Sequence, residues 1–153
     1  MITKKIVSII TIILSAHLAF AQSPLYSKFS TDEDIKCFYI ADIDNLTGCT
    51  GCGVSNFVGD NLKQLLTRDI DLKRIKTVTI LMSNNNEAMA KLRIEAMKIV
   101  ENGDYELLVV SKENKKKSSI YKKKQGNCEI IIILDGIDEF VFKQLLGDFS
   151  LKK

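Results

Sequence analysis

Cys49-Thr50-Gly51-Cys52 is the one run in this sequence whose residue types and spacing carry evident chemistry. Two cysteines three positions apart can close a small disulfide ring, and an apolar stripe beginning at Val54 puts a helix N-terminus beside Cys52. The unpaired N–H groups and macrodipole of such an end favour negative charge, so a thiolate there is stabilised and its pKa falls. A dithiol of this kind exchanges with disulfides: one thiolate attacks, and the second sulfur resolves the mixed disulfide. Thr50 and Gly51 lie between the sulfurs as accessory positions, and Cys37 and Cys128 bring the cysteines to four. Cys37 falls near the start of a strand, 12 positions before Cys49. A strand rise of about 3.3 Å per residue carries it away from the pair, and it reads as a buried small hydrophobe.

The compartment suits thiol chemistry. Lys4 and Lys5 precede an apolar run from Ile6 to Leu14, and Ala19-Phe20-Ala21 fits a small-residue cleavage site, so residues 1–21 read as a cleavable signal peptide. The run is shorter than the roughly 20 apolar residues of a spanning helix, and no stable membrane insertion is expected. The implied destination is an oxidising one, a bacterial periplasm, where disulfides persist. Cleavage would leave 132 of the 153 residues and remove His17, the only histidine. Ser/His and Cys/His catalysis and His-containing metal sites are thereby excluded. It would also take two of the 22 basic residues, leaving 20 against 19 acidic ones, a net of +1 with no electrostatic footprint for nucleic acid.

The elements that must position these cysteines alternate. Residues 22–34 carry the only proline, Pro24, and read as an extended leader to a domain over residues 35–153. Ile35 to Asp42 reads as a buried strand, Asp44 to Gly48 as a loop, and Val54, Phe57, Val58, Leu62, Leu65 and Leu66 as one helical face. Ile75 to Met82 is a β-branched strand. Asn84 to Asn86 can cap a helix with an apolar stripe of Met89, Leu92, Ala96, Ile99 and Val100, ended by Asn102-Gly103. Met89 and Met97 read as fillers of core gaps. Tyr105 to Val110 is a third strand, followed by a basic loop holding Lys115 to Lys117 and Lys122 to Lys124. Glu129 to Leu134, with four consecutive isoleucines, suits a strand buried on both faces. Asp135-Gly136 turns it into a partner over Ile137 to Phe142, and Lys143 to Phe149 reads as a short terminal helix. The alternation predicts a layered α/β domain with a partly parallel sheet.

Strand, CxxC at a helix start, strand, helix and terminal hairpin resemble the thioredoxin-like superfamily, in particular its exported TlpA-type thiol-disulfide proteins, over about Ile35 to Leu146. The resemblance implies a three-layer α/β fold with a central mixed sheet flanked by helices. It makes Cys49 the nucleophile and Cys52 the resolving thiol. It implies exchange on protein thiols and disulfides, supported by an electron donor the sequence does not identify and by no cofactor beyond the cysteines. Aligning CEIIIILDG with the family's third core strand sets Cys128 where the family has a cis-proline, either as a third thiol beside the pair or as a small packing hydrophobe. Asp42 and Asp44 read as turn formers or as a proton relay like the buried acid of some members.

Two other readings of the cysteines stand beside exchange. One is a non-enzymatic binding protein in which Cys49 and Cys52 form an inert brace. The other is a metal carrier using Cys49, Cys52, Cys128 and an outside ligand, although zinc sites normally draw on a second cysteine pair or histidines. The lysine triplets read as a solvated loop or as a surface for an acidic partner or anionic membrane.

Overall fold

The computed structural model describes residues 23–41, 70–126 and 129–151. These form a sheet of six strands. β1 spans Lys36–Ala41, β2 Ile70–Ser83, β3 Tyr105–Glu113, β4 Lys116–Lys123, β5 Glu129–Asp135 and β6 Phe140–Leu151. The spatial order is β1-β2-β6-β5-β4-β3, and every neighbouring pair is antiparallel. Two helices accompany them among the described residues: α1, Pro24–Phe29, and α2, Asn86–Asn102. The three-layer thioredoxin-like arrangement with a mixed sheet is therefore corrected to an antiparallel sheet with α1 and α2 packed on one face. The physical reason lies in the connections. β3–β4 and β5–β6 are hairpins with short turns, which only antiparallel neighbours can use.

Four local expectations change with it. Residues 24–29, expected as extended leader, are helical; Pro24 opens the helix, and Leu25 and Phe29 enter the core. The stretch expected as a basic loop is instead a hairpin. Asn114 and Lys115 both adopt positive φ, 48° and 63°, the two-residue turn that matches strand twist. Its signature is usually Asn-Gly, so the lysine concealed it. The short terminal helix over Lys143 to Phe149 is replaced by β6, a central strand of twelve residues held by β2 and β5. The strand expected over Ile75 to Met82 extends back to Ile70.

Helix α2 conforms to expectation. Asn85 caps it by accepting hydrogen bonds from the N–H groups of Glu87 and Ala88 at 3.0 and 3.1 Å. Its stripe of Ala88, Met89, Leu92, Ala96 and Val100 packs against Leu81, Ile131, Ile133, Phe140 and Phe142. Arg93 clamps helix to sheet, donating to both carboxylate oxygens of Asp135 at 2.7–3.1 Å and lying over the Phe140 ring. Gly103 closes the helix where no side chain fits: an added Cβ would come within 2.3 Å of the Tyr105 ring and 2.5 Å of the Ile99 carbonyl oxygen. Ser83, buried at the end of β2, donates to the Asp34 carbonyl at 2.7 Å and accepts from the Asn85 N–H at 3.1 Å. One hydroxyl thus joins the turn before β1 to the start of α2.

Candidate functional site

Cys49, Thr50, Gly51, Cys52 and Cys128 lie outside the described residues, as do Asp42, Asp44 and the helix expected from Val54. Of the four cysteines, Cys37 is in view. It sits on β1 opposite Leu81 and packs against the core beneath α2. Its thiol is free and donates weakly to the carbonyls of Phe29 at 3.5 Å and Ile35 at 3.7 Å. Burial first, and then the Asp32 carboxylate, raise its pKa above the ordinary thiol value. A thiol so held is a poor nucleophile, in keeping with the structural role read for it.

Four of the six lysines of the expected loop are engaged in or beside the hairpin. Lys116 pairs with Glu139 at 3.5 Å, Lys122 with Glu106 at 3.7 Å and Lys124 with Asp104 at 3.1 Å, while Lys123 lies over the Tyr105 ring. Lys122 is almost fully buried, which none of the sequence readings anticipated. Nearby, Glu129 accepts hydrogen bonds from the Tyr105 hydroxyl and the Gln144 amide, joining β3, β5 and β6.

The chemically distinct feature is a groove on the sheet face opposite α2. Strand alternation builds it. Phe38 pairs with Ile80, Ile80 with Lys143, Met82 with Val141, and Val141 with Leu134, so these side chains share one face across four strands. With Ile40 and Glu139 they line a cavity of about 430 Å³, within the range of roughly 300–1,000 Å³ usual for ligand sites. Phe38 is 49 % exposed at its mouth. Lys143 and Glu139 are the charged groups of its lining. Burial pulls the Lys143 pKa below the ordinary lysine value, Lys116 adds to the fall and Glu139 opposes it. A second recess of about 220 Å³ adjoins the groove, sharing Met82 and Glu139 with it, and is lined further by Glu33, Asp34, Lys36, Ser83 and Asn84.

Sequence reasoning read Ile35–Asp42 as a buried strand and Ile75–Met82 as a β-branched one, assigned neither a face, and so missed the groove. The available signal was alternation: Phe38 and Ile40, and likewise Ile80 and Met82, fall two apart and therefore on one face.

Fold and groove define an antiparallel sheet backed by helices on one face, with an apolar recess on the other. The chain belongs to the family described as domain of unknown function DUF4252, whose model matches residues 56–153. No curated protein and no solved structure matches it. No helix among the described residues is long and apolar enough to cross a membrane.

Proposed function

We propose that this is an exported, non-catalytic binding protein whose groove on the sheet face opposite α2 receives apolar side chains of a partner. The carrying observation is the groove itself, with Phe38, Ile80, Met82, Leu134 and Val141 gathered from four strands around one recess. An apolar recess with exposed Phe38 at its edge and partly buried Ile80, Met82 and Leu134 within it is the kind of concave site that takes apolar groups. Export rests on Lys4, Lys5, the apolar run after them and Ala19-Phe20-Ala21. The test is titration with neutral Nile red, which fluoresces on entering apolar surroundings. Phe38→Ala should weaken binding about three- to tenfold, the scale of losing a half-buried aromatic contact. Ile94→Ala should leave it unchanged, since Ile94 is an exposed apolar residue on α2, 57 % exposed. Equal loss in both variants, or in neither, refutes the groove as the binding site.

A second reading, thiol-disulfide exchange, is supported by the spacing of Cys49 and Cys52. In it the Cys49 thiolate displaces one sulfur of a partner disulfide to give a mixed disulfide. Cys52 then displaces the other, leaving a Cys49–Cys52 bond and two partner thiols, and an electron donor must restore the dithiol. Thiol trapping against a graded redox buffer tests it. A midpoint between about −120 and −270 mV supports exchange, and one below about −300 mV identifies an inert brace.

A further inference from the structure

We propose that Asn102, at the end of α2, is a site of spontaneous covalent modification, where the side-chain amide leaves as ammonia. The site is separate from the groove and independent of the binding reading. In the first step the backbone nitrogen of Gly103 attacks the side-chain carbonyl carbon of Asn102. The new C–N bond closes a five-membered imide, the bond to the amide nitrogen breaks, and the Gly103 proton passes to the departing ammonia. Water then opens the ring. Attack at the side-chain carbonyl leaves aspartate, and attack at the backbone carbonyl leaves isoaspartate, with the chain running through the former side chain.

Two pairs among the described residues have the composition for such a ring, Asn102–Gly103 and Asp135–Gly136, because glycine sets no β-carbon beside the attacking nitrogen and leaves the backbone free to turn. The structure separates them. Arg93 donates to both carboxylate oxygens of Asp135 at 2.7–3.1 Å, so that side chain cannot swing onto the Gly136 nitrogen without giving up those bonds. Asn102 is exposed, and its amide holds no hydrogen bond among the described residues. It is also the last residue of α2. Helix ends fray, so the rotation that closes the ring needs only the final turn to open.

Packing fixes the second member of the pair. A Cβ at Gly103 would meet the Tyr105 ring and the Ile99 carbonyl oxygen, so the labile sequence is part of the helix stop itself. Its product disturbs that stop. The last turn of α2 has no basic residue, and a carboxylate at position 102 joins Glu101 and Asp104 at the negative end of the helix dipole. Lys124 already serves Asp104 at 3.1 Å. Isoaspartate adds a methylene to the backbone where Gly103 lies against Tyr105, whose hydroxyl donates to Glu129. Modification therefore loosens the join between α2 and β3.

The experiment incubates the full chain at pH 8, samples it over days and cuts it with trypsin. Peptide 99–112, whose one asparagine is Asn102, should gain the mass of an amide-to-acid exchange and accept methyl groups from an isoaspartate methyltransferase. Peptide 113–115, with Asn114 before a lysine, should gain that mass later. Asp135, in peptide 125–143, should show no methylation without mass gain over the same period. Asn102→Gln should abolish the change in peptide 99–112. Asn102→Asp, which carries the product's charge alone, should lower the folding equilibrium constant about two- to fivefold, the scale of one charge at a helix end. If peptide 99–112 keeps its mass while peptide 113–115 turns over, or Asp135 isomerises ahead of Asn102, the assignment is overturned. An Asn102→Asp chain as stable as the unaltered one overturns the loosening of the helix stop.

Discussion

The two faces of the sheet are built from the same strands, yet among the described residues helices pack on one, and the other holds both a buried cluster and a recess. Beneath α2, Leu81, Ile131, Phe140 and Phe142 are completely buried, and Leu25 and Phe29 of α1 complete the cover. On the opposite face Val78, Ile120, Ile130, Ile132 and Leu145 are buried as thoroughly, but the row from Phe38 to Leu134 borders an open recess. One face therefore serves stability beneath its helices, and the other divides into a stabilising part and a part left for contact. The difference teaches that strand alternation supplies two apolar faces, and that burial need not extend over the whole of either.

Substitutions on the two faces should separate these roles. Phe142→Ala removes a fully buried ring from the covered face and should cost about 3–5 kcal/mol, seen as a lower urea midpoint. Phe38→Ala, on the groove face, should cost under about 1 kcal/mol while weakening dye binding. Equal destabilisation by the two would break the comparison.

A smaller effect sharpens the account of the hairpin that forms one end of the sheet. Lys115 holds a left-handed conformation, φ 63°, that costs a side chain energy. Lys115→Gly should therefore raise stability by about 0.5–1 kcal/mol, less than the full strain because glycine gains freedom in the unfolded chain. A thermal midpoint that falls would refute this assignment of the turn.

The smallest effect concerns Cys37 beneath the covered face. In a chain carrying Cys49→Ser, Cys52→Ser and Cys128→Ser, its alkylation at pH 8 should be slower than that of a free peptide thiol, because its pKa is raised. The sign for stability follows. The protonated thiol is favoured by folding, so this contribution is whole below the unfolded thiol pKa and is lost as pH rises through the higher folded value. Alkylation at the rate of a free peptide would show that the thiol is not shielded.

Much of the local structure was legible. Asn85 and the Met89 to Val100 stripe marked α2, the apolar and aromatic run marked β1, and β-branched content marked β2 and β5. Ile130 to Ile133 spoke truly of burial on both faces, since all four are at most 4 % exposed. That burial did not require parallel neighbours, and the step from isoleucine run to parallel sheet failed there. Strand β4 was hidden because KKSSIYKK is polar at both ends, and its place beside β5 rests on Ser119, Ile120 and Lys122 being covered. Strand β6 was hidden because Leu145 and Leu146, next to one another, fit a short helix as well as a strand. Pairing with two neighbours decided between them.

Of the candidate site, the sequence itself determined the cysteine spacing, the helix cap and stripe, and the alternation that sends Phe38 and Ile40 to one side. These are properties of neighbours a few positions apart, fixed by backbone geometry. Tertiary structure alone decided the antiparallel order, the burial of Lys122, and the meeting of Phe38, Met82, Leu134 and Glu139 around one recess. Those groups lie as many as 101 positions apart in the chain, and nothing shorter in range than strand pairing brings them together.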